Sequence, residues 1–425
     1  MASNTAAHLP LAGVKVVELC HLIAGPYCCQ MLADEGATVI KVEPPQGELT
    51  RHRPPARKTE EGEVTAYYAS LNRDKKSVVL DLKNPEGAAL MAKLLESADV
   101  FVTNMRVAAL ERLDLHPKVL RERYPRLIVA SISGFGMENS GEHADRAGLA
   151  IVAEAMSGAT GLTRDHIGNP VWCGFALGDI TAAVSAHAAI LLALRNQERY
   201  GEGKLIDLGL VECMLPMVCV AMGRVQVERE AASDFTGSNS FHGIPYGAFP
   251  AADGGVNIGC NRDDFWHRLC VAMGRAELGT DPRYATYGER AKRQREVHDI
   301  VEAFTRAHTR AEIVKKLIDV DVPVASILSM QEVIKDQHLL NRGALWKVDD
   351  GFGGTFTLPA NTSWLEPPAH TPRIPRLGEH RDSVLSNQLG LSSADIARLD
   401  NAGAFGTDRA KAQAKVDAPG EPMLL

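Results

Sequence analysis

The chain has 425 residues, 45% of them apolar and 23% charged, a mixture that packs a core and excludes a disordered, collagen-like or coiled-coil protein. The length exceeds one ordinary hydrophobic core, so two domains are expected. A net charge of −7 gives no global positive field for nucleic acid or anionic lipid, and any anionic ligand must be met by a local basic pocket.

The eight Cys are scattered, apart from the adjacent pair Cys28-Cys29, as in a chain from a reducing compartment. The opening residues lack the charged and apolar regions of a signal peptide, and no uninterrupted apolar run of membrane-spanning length occurs. A cytoplasmic protein is expected, with neither a membrane nor a nucleic-acid partner.

In chain order, the β-branched run 14–19 predicts a strand, and Tyr27, Met31 and Leu32 follow it at helical spacing up to Gly36. Residues 39–43 predict a second strand, which Pro44-Pro45 cannot continue. Asn84-Pro85-Glu86 supplies a cap, a first-turn Pro and a first-turn acid for a helix reaching about Leu94. A strand at 100–102, a helix at 117–124 and a strand at 127–131 continue the alternation, which implies an α/β fold on a mostly parallel sheet. Residues 180–194 are almost entirely Ala, Val, Ile and Leu and predict a buried helix, stopped by Gly201 and Gly203 before a strand at 205–208. A Met- and Val-rich helix is expected over 211–229, followed by a Ser-, Asn- and Gly-rich stretch that marks a crossover. Beyond it, Thr309 and Glu312 make a capping box inside a smaller α+β unit. The Pro-rich run 359–375 reads as an extended arm, and a short capped helix starts near Ser393. The expected division is a large domain over 1–210, a linker helix over 211–235 and a small α+β domain over 236–330. A return linker and C-terminal arm follow over 331–410, and then a disordered tail over 411–425.

Several chemistries lack their motifs. The first turn, residues 20–26, has no G-x-G-x-x-G, which disfavours a nicotinamide-dependent dehydrogenase. The 14 dispersed His and the missing C-x-x-C and H-E-x-x-H patterns give no metal site, and neither a G-x-S-x-G elbow nor a phosphate-binding P-loop occurs. What stands out is Gly174-Phe175-Ala176-Leu177-Gly178-Asp179, directly before the apolar helix. Asp179 is expected at the N-cap, where Asp is a good structural residue in its own right. The adjoining Gly178 lets another backbone or a ligand come close, so the carboxylate can also be read as a nucleophile that forms a mixed anhydride with an acyl group.

Together with that segment, residues 11–14, 24–26, 36–43, 71–73, 75–77, 80–82, 131–136 and 376–380 resemble the class III CoA-transferase family. This is the family of formyl-CoA transferase, carnitine CoA-transferase and the CaiB/BaiF type, and the resemblance spans nearly the whole chain. It implies an interlocked homodimer with a Rossmann-like large domain, a smaller domain, and a C-terminal segment that returns to the large one. It also implies that Asp179 attacks a donor acyl-CoA to give an acyl-aspartyl anhydride and CoA thiolate, with no permanently bound cofactor. The partners would then be an acyl-CoA such as succinyl-CoA and a carboxylic acid. By similarity Asn72, Arg73, Lys75, Lys76, Asn104 and Arg112 would contact CoA, whose phosphates need local cations.

Departures from formyl-CoA transferase bear on the acid. Ile23 stands where that enzyme has Gln, Leu149-Ala150 where it has Tyr-Glu, and its glycine-rich lid becomes residues 237–243. His21, Ile23, Leu149, Ala150, Phe241 and His242 are therefore expected to line a pocket for a mid-sized, dicarboxylic acid rather than formate or oxalate. Two alternatives remain. An α-methylacyl-CoA racemase would need a His-Asp pair where residues 146–150 offer neither base, with His143 the sole nearby candidate. A non-catalytic acyl-CoA-binding subunit would have no reason to keep Asp179. Cys173 is the rival nucleophile.

Overall fold

The computed structural model describes residues 9–144, 146–165, 168–228, 243–363 and 368–406. Eight strands come first: β1 (Lys15–Leu19), β2 (Thr38–Glu43), β3 (Ala56–Thr59), β4 (Gly62–Thr65), β5 (Lys76–Val79), β6 (Val100–Thr103), β7 (Ile128–Ser133) and β8 (Leu205–Gly209). Six of them form one sheet in the order β5-β2-β1-β6-β7-β8, and every neighbouring pair is parallel. The order reverses between β1 and β6, which makes the carboxyl ends of those two strands the topological switch point where open α/β sheets bind ligands.

Both sheet faces are covered, which explains why β6 reads Val-Phe-Val-Thr with no alternation. On one face Val17, Ile40, Val78, Phe101 and Val129 pack with Leu90, Leu94, Leu120, Val384, Leu385, Leu399 and Phe405. The helices Ala24–Asp34 and Leu177–Tyr200 pack against each other, and the longer one lies on β7 and β8. Asn84 accepts from the Glu86 N–H and starts the helix Pro85–Glu96, as its sequence predicts.

The chain divides into two compact units. The first holds Met1–Glu154, Ala176–Leu215 and Asp336–Leu425, and the second Ala155–Phe175 and Pro216–Lys335. In the second unit an antiparallel sheet of β9 (Tyr246–Ala251), β10 (Gly254–Gly259) and β11 (Val324–Ser326) packs helices around Trp266, Leu269, Val301 and Leu317. The Thr309 to Glu312 capping box is formed there. The last segment of the first unit carries the hairpin β12 (Leu345–Asp349) and β13 (Thr355–Pro359) and the helices Arg381–Leu389 and Ser393–Asn401.

Two sequence expectations change. The helix predicted over 211–229 is instead Leu210–Met214, a 3-10 turn at Leu215–Val218, and Cys219–Glu228, because Pro216 has no N–H for a continuous ladder. The apolar helix begins three residues earlier than expected and runs to Tyr200, where Gly201 takes a left-handed φ of 75°. Among the described residues, the helix Leu177–Tyr200 and the broken helical stretch Leu210–Val227 are, by length and composition alone, long and apolar enough to cross a membrane, although neither is an uninterrupted apolar run. Residues 411–425, expected as a tail, lie outside the described residues.

Candidate active site

Asp179 is the third residue of the Leu177–Tyr200 helix, not its cap. The cap position is Ala176, which has no side chain to offer, and the Gly178 N–H donates instead to Glu154 Oε1 at 3.1 Å. Glu154 projects from the short helix Ala150–Met156 and is only 2% exposed. That helix can come so near because residue 178 is glycine: a Cβ there would lie 3.1 Å from both the Cα and the carbonyl oxygen of Ala150. Just upstream, Gly148 and Gly134 press backbone to backbone, which holds the 148–150 segment at the carboxyl end of β7.

The electrostatics of this corner are unusual for a helix N-terminus, where the macrodipole ordinarily favours the anion. Burial, with the charge of Glu154 adding to it, pushes the Asp179 carboxyl up to about 6. Tyr67, half-buried on the short helix Ala66–Ala69, is also close by. Burial raises its phenol above the usual range, Arg53 works against that, and the charge of Asp179 adds to it. If Asp179 must be ionised to react, kcat/KM is constant well above pH 6 and falls tenfold per unit well below it, and a pH–rate profile checks this.

At the switch point the turn after β1 is fixed by the segment after β6. The His21 N–H donates to Asn104 Oδ1 at 2.8 Å, and Asn104 Nδ2 returns a bond to the His21 carbonyl at 2.7 Å. Leu22 is left-handed, with φ 62°, a strained setting for a branched side chain. Gly25 is required because a Cβ would overlap Cys20 Sγ. Burial and then Lys41 hold the His21 imidazole below its ordinary value, although Glu48, 3.9 Å away, opposes them. Ile23 stands at the cap of the Ala24–Asp34 helix and is half-buried.

The proposed CoA contacts separate into two groups. Asn72, Arg73 and Lys75, expected to contact CoA, are buried, and protein groups take up their side chains. Arg73 forks onto Asp34 at 2.6 and 2.8 Å and donates to the Pro359 carbonyl. Lys75 Nζ lies 2.8 Å from Glu18 and donates to the Pro26 carbonyl and Asn72 Oδ1, while Lys41 takes the other Glu18 oxygen at 2.8 Å. Burial opposes the charge on Glu18, but the two lysines outweigh it and hold the carboxyl below its ordinary value. Asn104 shapes the His21 turn. Arg112 is exposed, and its sequence neighbour Asp114 pairs with Arg123 instead. Lys76 is partly exposed, and Lys83 and Arg106 are exposed just beyond β5 and β6.

Among the substrate-pocket candidates, Ala150 is buried against Gly178, one residue from Asp179, while Leu149 is 52% exposed. Phe241 and His242 lie outside the described residues. Cys173 is exposed, with its Sγ donating to the Phe175 carbonyl. His143, the candidate base for the racemase alternative, stacks on Phe135. Glu154 and Tyr67 were missed in the sequence; a carboxylate inside an otherwise apolar helical segment was the one available signal.

Residues 11–381 match the family model described as CoA-transferase family III. The succinyl-CoA–D-citramalate CoA-transferase of Chloroflexus aurantiacus is 34% identical over 406 residues, covering 92% of this chain and 96% of that protein. The succinate–glutarate CoA-transferase of Agrobacterium fabrum is 34% identical over 394 residues, covering 89% of this chain and 95% of the relative. Among solved structures, a CaiB/BaiF family protein from Brucella suis superposes with a TM-score of 0.77 at 30% identity, over 89% of this chain and 99% of the other.

Proposed function

Because this chain belongs to CoA-transferase family III and is a class III CoA-transferase, we propose that it moves CoA from succinyl-CoA to a second dicarboxylic acid, with Asp179 as nucleophile. The observation that carries the reading is Asp179 itself, a half-buried carboxylate of raised basicity in the first turn of an apolar helix. An Asp179 oxygen attacks the thioester carbon, the tetrahedral adduct expels CoA thiolate, and a mixed anhydride remains. The thiolate attacks the aspartyl carbonyl and releases succinate, leaving an aspartyl thioester. The acceptor carboxylate then attacks that thioester, and the thiolate finally takes the acceptor's acyl group, which frees Asp179. Every step exchanges one acyl–heteroatom bond for another, so the sequence needs no permanently bound cofactor.

The exposed cations Lys83, Arg106 and Arg112 sit at or after the carboxyl ends of β5 and β6 and suit the CoA phosphates, in place of the buried Arg73 and Lys75. The relatives' substrates, citramalate and glutarate, match the size expected for a site with Ile23, Leu149 and Ala150. A homodimer is supported by apolar side chains left exposed along two helices, Val184 and Leu192 on one and Val220 and Val225 on the other. The eight unpaired cysteines accord with a cytoplasmic enzyme.

The test is incubation with succinyl-CoA and a panel of acids, followed by mass analysis of the CoA esters. Acids of succinate size or larger should exceed oxalate in kcat/KM by a factor on the order of 100, given about 0.8 kcal/mol per buried CH₂ and about three such groups. A winning oxalate refutes the pocket, and no exchange product with any acid refutes the transferase reading.

A further inference from the structure

We propose that Glu154 is a positioning residue for Asp179: its carboxylate binds the first turn of the nucleophile's helix and holds a second negative charge against the attacking one. The inference rests on Asp179 as nucleophile. Its geometric basis is independent of that role. Ala176 leaves the turn uncapped, Glu154 Oε1 accepts the Gly178 N–H at 3.1 Å, and the missing Cβ of Gly178 admits the Ala150–Met156 helix that carries Glu154. Glu154 thus fixes the residue next to the nucleophile from outside the nucleophile's own helix.

A glutamine of the same shape would accept the same N–H, so what glutamate adds is charge. Of the groups facing Asp179 across the neighbouring elements, Glu154 on the Ala150–Met156 helix raises its basicity, and Tyr67 on the Ala66–Ala69 helix, flanked by Arg53 and Glu48, lies within reach of its field. Anhydride formation consumes the negative charge of Asp179 and places it on the departing thiolate. The repulsion from Glu154 is therefore present in the ground state and relieved as the bond forms, which lowers the barrier.

Glu154→Gln separates charge from shape. The acid limb of the pH–kcat/KM profile should move down by roughly one unit, and the plateau should fall about three- to tenfold as the nucleophile becomes less basic. In Glu154→Asp, which keeps the charge but withdraws the acceptor, the limb should stay near its wild-type position while kcat falls. A Glu154→Gln profile with the limb unmoved overturns the proposal and leaves Glu154 a structural cap. If the Gln variant does not fold, Glu154→Asp decides, and a limb displaced along with the plateau counts against the proposal. A wild type without any exchange fails the transferase mechanism instead, and the coupling is then read in thermal melts. Glu154→Gln should gain more stability at pH 8 than at pH 5, and an equal change at both pH values overturns the proposal.

Discussion

Asp179→Asn should abolish CoA exchange and at the same time make the protein harder to melt at pH 8. Removing the nucleophile eliminates the covalent route, so kcat/KM should drop on the order of 10³-fold or more, measured by succinyl-CoA consumption with a dicarboxylic acceptor. The stability gain follows from the sign of the shift. The folded-state carboxyl titrates at about 6 against an ordinary value of 3.8, so the folded protein holds this proton more tightly than the unfolded chain does. The resulting stability is fully present below about pH 4 and is lost as pH rises through about 6, at a cost of roughly 1–3 kcal/mol at pH 8. Asn carries no charge to bury or to set against Glu154, so the variant should melt higher than wild type at pH 8, and the difference should shrink towards pH 4. A variant that exchanges CoA normally would show Asp179 to be a bystander, whatever its melting curve.

Lys75→Met should destabilise the fold strongly without touching CoA recognition. Lys75 and Lys41 share the Glu18 carboxylate with all three side chains fully buried, and removing one member of such a set costs about 3–5 kcal/mol. In whatever fraction stays folded, the KM for succinyl-CoA should be unchanged. Arg112→Ala should do the reverse, raising that KM several-fold through a lost phosphate contact while leaving the melting temperature within a degree or two. A normal melt for Lys75→Met would refute the buried network, and an unchanged KM for Arg112→Ala would move the phosphate site elsewhere along the carboxyl ends of the strands.

These pairs show what the sequence could and could not convey. Strands such as β1 and β6 announce themselves because parallel strands covered on both faces are runs of Val, Ile and Phe. The Asn84 cap and the Thr309 to Glu312 box were legible because capping is a contact between residues two or three apart. Asp179 was legible as a carboxylate opening an apolar helix, but its place in the first turn was not, since the cap is supplied by Glu154 from another helix. The burial of Arg73 and Lys75 was not legible because their counter-charges, Asp34 and Glu18, are distant in sequence. A hint lay in Glu18 and Lys41, charged residues in the middle of Val-rich strands, where a charge is retained only if another meets it.

The dispersal of the first unit over three stretches of chain bears on how the protein is made. Its apolar core joins Val78, Leu90 and Leu94 to Val384, Leu385, Leu399 and Phe405, so a ribosome that has finished β5 and the Pro85–Glu96 helix has not yet made their cover. At roughly 5–20 residues per second, that surface waits tens of seconds in the nascent chain. The second unit ends at Lys335 and can close before the first, although the first begins earlier in the message. During synthesis the sheet beside the nucleophile's helix is therefore the last part to be covered, and the interval is one in which a chaperone, or a neighbouring nascent chain, can reach its unfinished face.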